Sequence, residues 1–409
     1  LAPWHRVGGA GGGSLAGGRS GAARGQDRGG GASAGLGGGG CGASETNRAP
    51  VRPLLCIWRV QLYSAGLIYQ SLAMTRTFDI AVIGATGSVG ETLVQLLEER
   101  EFPVANLHLV ASGESAGRSL SYKGKNLRVR DLETFDFASV RLVFFAAGSK
   151  VTQKYAAQAA AAGCAVIDLA SGLPAAQAPR VIPEVNPAVL ASLTAPYLLT
   201  SPSATGIALA VVLAALPEQV RIQRVTVTAC LAVSSRGREG VSELARQTAE
   251  LLNGRALEPQ LFDRQMAFNL LAQVEQTDSA GHSALEQQIA VELKELLALP
   301  ALQVAVTCIQ VPVFFGDSLS VSVQAESAID LSQVYASLEA APALELVELD
   351  DYPTAVGDAV GQDVVYVGRV RAGLADPAEL NLWIASDNVR KGAALNAVQL
   401  AELLIKHYL

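Results

Sequence analysis

Basic charge, histidine and long apolar runs are all scarce in this chain of 409 residues. Its 31 Lys and Arg against 38 Asp and Glu leave a formal net charge of -7. A surface of that sign repels nucleic acid and anionic lipid, so neither is expected as a partner. The four histidines, His5, His108, His282 and His407, are scattered, and the five cysteines show no CxxC spacing or neighbouring histidine cluster. No metal site is expected on that count. Cys164, Cys230 and Cys308 lie in apolar strand-like runs (CAVIDL, VTVTACLAV, VAVTCIQV) and read as buried free thiols of a reducing, cytoplasmic compartment. The apolar patch at 54–73 is broken by Arg59 and Gln61, which makes it too short to span a membrane.

What is present is a globular composition, 50% hydrophobic and 17% charged, in a chain long enough for two domains. Residues 1–73 are rich in Gly, Ala and Arg and lack periodicity. They are expected to be a disordered or non-native extension, with a transit peptide as the alternative, so that the working chain starts at Met74. From Phe78 the pattern sharpens: FDIAVIGA reads as a strand, GATGSVG as a turn and ETLVQLLEER as a helix. LHLVAS, RLVFFAAG and AVIDLAS follow as strands, with a helix at 152–162. This alternation predicts a Rossmann-like, doubly wound domain over 74–203, completed by a C-terminal helix at 388–409. Residues 204–387 carry long strands and two helices, at 239–253 and 284–297. They predict a mixed sheet, with helices on one face and the other free for a partner. The fold class is α/β plus α+β.

Two stretches carry chemistry. The first is Tyr197 to Ala215, in which an apolar strand turns through Ser201-Pro202-Ser203-Ala204-Thr205-Gly206 into an apolar helix. Such a kink places free N–H groups and the positive end of the helix dipole where a thiolate nucleophile would be favoured. The residue there is Ala204, which has no group able to attack. The second is the turn carrying Gly84, Thr86, Gly87, Ser88, Val89 and Gly90, set between a strand and a helix as a dinucleotide pyrophosphate requires. After the next strand come Ser112, Glu114 and Ser115. A carboxylate at 114 accepts from a ribose 2′-hydroxyl and repels a 2′-phosphate, favouring NAD over NADP.

The ordered motifs GATGSVG, ASxxSAG, AAGS, VIDxxS, PEVN, SPxxT, QMAFN, TCIxVPVFxG, VYVGRVR and SDNVRKGAALNAVQL resemble the aspartate-semialdehyde dehydrogenase family over 74–409, nearest its Usg-type branch. The resemblance implies a Rossmann domain, a C-terminal domain carrying a homodimer interface, and NADP-linked reductive dephosphorylation of aspartyl phosphate. A heterodimer with an active paralogue is equally compatible with it. It also implies a set of reacting groups, and these are replaced here. The catalytic Cys falls on Ala204, the orienting Gln on Leu231, the substrate-carboxylate Arg on Gln310 and the proton-transfer His on Asp317. Of the phosphate-binding groups, an Arg falls on Pro174 and a Lys on Gln288, and an acidic substrate-binding residue falls on Leu285. Gly84, Thr86, Gly87, Gly90, Ser112 and Asn388 match the family's cofactor positions, while its 2′-phosphate Arg falls on Glu114.

A substitute nucleophile is not evident. Ser203 and Thr205 flank Ala204, but an alcohol needs a base, and no histidine lies near these motifs; Cys230 points to the opposite strand face from position 231. The expectation is therefore a dehydrogenase-like dimer that has lost its chemistry and serves an interaction or regulatory role. The alternative is an NAD(P)-dependent oxidoreductase of amino-acid biosynthesis acting on an aldehyde or oxo group by altered chemistry.

Overall fold

The computed structural model describes residues 76–409, and the expectation for 1–73 lies outside them. The first domain is built by β1 (Phe78–Ile83), α1 (Ser88–Glu99), β2 (Val104–Ala111), a hairpin of β3 (Ser119–Tyr122) and β4 (Lys125–Arg128), β5 (Arg130–Asp131), β6 (Leu142–Phe145), α2 (Ser149–Ala161), β7 (Ala165–Asp168) and β8 (Leu198–Thr200). Its sheet runs β5-β2-β1-β6-β7-β8, parallel throughout. Strand β1 shows why both faces must be covered. Ile80 and Val82 enter one apolar cluster with Leu93 and Leu97 of α1, while Ala81 and Ile83 enter another with Ala156 and Ala159 of α2. A strand buried on both faces reads as a continuous apolar run, as FDIAVI does.

The second domain begins with α3 (Ala204–Ala214) and continues through β9 (Ile222–Leu231), α4 (Gly237–Leu252), α5 (Ala284–Leu296), β10 (Gln303–Gln310), β11 (Asp317–Ala325), α6 (Leu331–Glu339), β12 (Leu344–Leu346), β13 (Val365–Ala372) and β14 (Glu379–Ser386). These strands form a mixed sheet ordered β10-β9-β11-β14-β13-β12. Val225, Val227, Ala229 and Leu231 of β9 point into the core shared with α3, α5 and α6. Thr226, Thr228 and Cys230 face the other way and are half-buried or exposed. Helix α3 is apolar all round and buried along its length, as a helix between two layers must be.

The chain then returns to the first domain through a π-helical turn, Arg390–Leu395, and α7 (Asn396–His407). Leu395, Val398, Leu400, Ala401 and Leu404 join the cluster on the α1 face of the first sheet. The sequence reads as one uninterrupted helix here, and the wide turn has a packing cause. A Cβ on Gly392 would lie 2.6 Å from the Ala204 Cβ, so the turn runs close against the start of α3 and only glycine fits. Elsewhere the differences are at element ends: α2 starts at Ser149 rather than 152, and β10 stops at Gln310 before Pro312, which has no N–H to continue a ladder.

Candidate functional site

Pairing across the second sheet draws three of the replaced positions together. Gln310 of β10 lies beside Leu231 of β9, Ser318 of β11 beside Cys230, and Asp317 beside Ser386 of β14. Asp317 is consequently the residue across from Leu231, and Gln310, Leu231, Asp317 and Ser386 form one row on one face. All four are buried. Ala204 is connected to the row through Gly392, which lies against Ala204 and donates its N–H to the Asp387 carbonyl at 2.8 Å. Asp387 directly follows Ser386.

The polar members of the row are turned to a structural task. Gln310 Nε2 donates to the Leu231 carbonyl at 2.7 Å, and Asp317 Oδ1 accepts from the Ala232 N–H at 2.9 Å. These are the two sides of a single peptide unit, gripped by one side chain from each neighbouring strand. A carbonyl only accepts, so the Gln310 amide is fixed with its nitrogen inward. Its Oε1, like Ser386 Oγ, has no protein partner. Burial pushes the Asp317 carboxyl up to about 7; the Ala232 N–H pulls against this, and the Asp387 carboxylate adds to it. Cys230, on the opposite face, has its thiol pushed up by burial and then by the Asp317 charge.

At the start of α3 the chain supplies its own anion. Ser203 caps the helix, accepting from the Gly206 N–H at 3.1 Å. Its hydroxyl donates to Glu292 Oε2 at 2.5 Å, and its N–H lies 3.1 Å from both carboxylate oxygens. Glu292 is fully buried on α5. Burial raises its carboxyl above the ordinary range, opposed by Gln288, by Ser203 and by Arg180. Arg180 Nε stands 3.4 Å from Glu292 Oε1, an ion-pair distance without a hydrogen bond.

Gln288 Nε2 donates both to Glu292 Oε1, at 2.7 Å, and to Ser171 Oγ, at 2.9 Å. Position 288 therefore does face the other domain, yet its donors are already engaged. Pro174 is exposed and Leu285 packs against the core. The Ser203–Glu292 contact is a hydroxyl–carboxylate pair that sequence reasoning missed. Gln288 and Glu292, four residues apart, share a helix face, which was the available signal.

The glycine turn sits where the strand order reverses, between β1 and β6, the crevice in which open α/β sheets bind ligands. Gly84, at φ 85°, could not carry a Cβ without meeting the Ala146–Ala147 backbone at 2.8 Å, and a Cβ on Gly90 would come within 2.2 Å of the Gly84 carbonyl. Those two glycines are demanded by the fold. Gly87 is not, since its Cβ would meet only the Gly84 oxygen, at an ordinary 3.4 Å, and no side chain caps the first turn of α1. A Cβ at position 87 would therefore be tolerated by the fold itself, and Thr86, Gly87, Ser88 and Val89 are half-buried at the start of this helix. These residues fit a dinucleotide pyrophosphate.

Ser112, Glu114 and Ser115 lie at the end of β2, with Ser112 and Glu114 exposed. Asn388 is placed differently from an open ligand contact. It is buried, its Oδ1 accepting from the Gly316 N–H at 3.0 Å and from the Ser234 hydroxyl at 3.1 Å. A cleft of about 540 Å³ runs from Ser88 and Glu91 of α1 to Asp387 and Val389, beside Asn388.

Residues 79–193 match the semialdehyde dehydrogenase NAD binding domain, and residues 213–391 match the semialdehyde dehydrogenase dimerisation domain. The chain belongs to the semialdehyde dehydrogenase family. It is 62% identical over 333 residues to a USG-1 protein homolog of Azotobacter vinelandii, covering 81% of this chain and 99% of that one. It is 42% identical over 336 residues to aspartate-semialdehyde dehydrogenase 2 of Vibrio cholerae, covering 82% and 100%. Among solved structures, a probable aspartate-semialdehyde dehydrogenase from Pseudomonas aeruginosa superposes with a TM-score of 0.80 at 58% identity, over 82% of this chain and all of that one. The family resemblance read from the sequence is thereby confirmed, as are the Rossmann-type first domain and the mixed-sheet second domain. No helix among the described residues is long and apolar enough to cross a membrane.

Proposed function

We propose that this member of the semialdehyde dehydrogenase family binds a dinucleotide, NAD in preference to NADP, and does not reduce aspartyl phosphate. The observation that carries the reading is the gripped peptide at Leu231–Ala232. The side chains standing where a substrate cation and a proton carrier would be needed are spent on the fold instead. Ala204 adds no nucleophile, and the start of α3 is already occupied by the Glu292 carboxylate. Reductive dephosphorylation needs a covalent acyl intermediate and a cation for each anionic end of the substrate. Glu114 at the end of β2 supports NAD on charge. The outward Thr226–Thr228–Cys230 face of the second sheet supports a homodimer through the dimerisation domain.

A second reading, an oxidoreductase with altered chemistry, is favoured by one observation. A carboxyl held at about 7 has the pKa of a useful acid or base. Titration calorimetry of the full chain with NADH and NADPH, beside assays of aspartate semialdehyde with phosphate and of neutral aldehydes, each with both oxidised cofactors, separates the readings. Tighter NADH binding without turnover is the expected result. Turnover of the semialdehyde would overturn the proposal, and turnover of neutral aldehydes alone would establish the second reading.

A further inference from the structure

The cleft that begins at Ser88 is lined by two guanidinium groups, from Arg238 and Arg390. They are not equivalent. Arg390 bonds two carboxylates, Nε to Asp363 at 2.6 Å and Nη2 to Glu99 at 2.8 Å. Arg238, in the first turn of α4, pairs across the cleft with Glu91, in the first turn of α1. The Arg238 side chain is 47% exposed and that of Glu91 32%, and an ion pair so open to water holds its partners weakly. Glu91 lies one helical turn past Gly87, on a helix whose start carries no side-chain cap, and its carboxylate holds the Arg238 cation by a pair that an anion can displace.

Resting on the dinucleotide reading above, we propose that Arg238 is a specificity-determining residue of that site. Its guanidinium takes up the negative charge of the dinucleotide's pyrophosphate at the start of α1, and Glu91 holds it in place while the cleft is empty. Arginine suits the task because its planar donors bridge two phosphate oxygens. The exchange joins the domains in a new way, because the second domain then closes on the ligand rather than on α1. Glu91 also sets a threshold, since a ligand without a full negative charge cannot compete for the guanidinium.

The test is calorimetric titration of the full chain and of its R238Q, E91Q and doubly substituted variants with NADH, with pyrophosphate and with inorganic phosphate, at low and high salt. Both positions are at the surface, and thermal midpoints close to that of the unsubstituted protein would show that folding is intact. R238Q is expected to weaken NADH binding about tenfold and to flatten its salt dependence. E91Q is expected to tighten binding several-fold, and only when Arg238 is present. If the unsubstituted protein binds NADH and R238Q binds it equally well, Arg238 has no such role and the dinucleotide reading stands without it. If the unsubstituted protein binds pyrophosphate or phosphate but not NADH, or binds none of them, the dinucleotide reading fails and takes this assignment with it.

Discussion

Asp317 shows how a single side chain records a change of task. Its carboxyl is pushed from 3.8 to about 7 by burial, so the folded protein keeps a proton that the unfolded chain releases. The stability tied to that proton is fully present below pH 4 and is lost as pH rises to about 7, on the order of 4 kcal/mol. Asp317→Asn retains an oxygen for the Ala232 N–H and carries no charge. Its stability relative to the parent, measured by urea unfolding, should therefore climb between pH 4 and 7 and level off above. A flat difference across that range would mean that the carboxyl does not titrate there.

Position 204 invites a complementary change. A thiol introduced by Ala204→Cys would sit at the start of α3, where the helix dipole favours the thiolate and the Glu292 carboxylate at Ser203 opposes it. Iodoacetamide should label it well before Cys164 and Cys308, whose buried thiols are pushed up to about 11 and about 12. Semialdehyde turnover should stay absent, because Gln310 and Asp317 remain committed to the Leu231–Ala232 peptide.

Elements determine which residues can act together. Helix α3 begins as it does because Ser203 caps it and Glu292 of α5 binds the cap. Ser203→Ala removes the cap, worth about 1–2 kcal/mol, and leaves a buried carboxylate short of a donor. Urea denaturation should show a larger loss for this variant than for Glu292→Gln, which keeps the shape and sheds the charge. The glycine turn offers a sharper division. Gly87→Ala should leave stability within about 1 kcal/mol of the parent while blocking NADH, whereas Gly90→Ala should destabilise strongly, its Cβ lying 2.2 Å from a carbonyl oxygen.

The turn, its strand and its helix were legible in the sequence because all three lie within 22 consecutive residues, Phe78 to Glu99. The buried row was not, since it assembles from β10, β9, β11 and β14 only after their registers are fixed. Ser386, with its unpartnered hydroxyl, gives no local sign of belonging to it. The π-helical turn was equally hidden: its cause, the nearness of Gly392 to Ala204, spans most of the second domain.

At the scale of the whole molecule, the two domains share their ends. The C-terminal helix α7 buries Val398, Leu400 and Leu404 against the sheet that β1 begins. Leu404→Ala, far in sequence from that sheet, should cost about 2–5 kcal/mol, read as an earlier urea midpoint by a probe placed in the first domain. An unchanged midpoint would mean that the helix is not part of that domain's cooperative unit. The same arrangement bears on how the protein is born. On the ribosome, β1 and α1 are made before the second domain, and the leucines of α7 that close their outer layer are made after it. The first sheet must wait through synthesis of the entire second domain with that apolar face covered by α1 and not yet by α7.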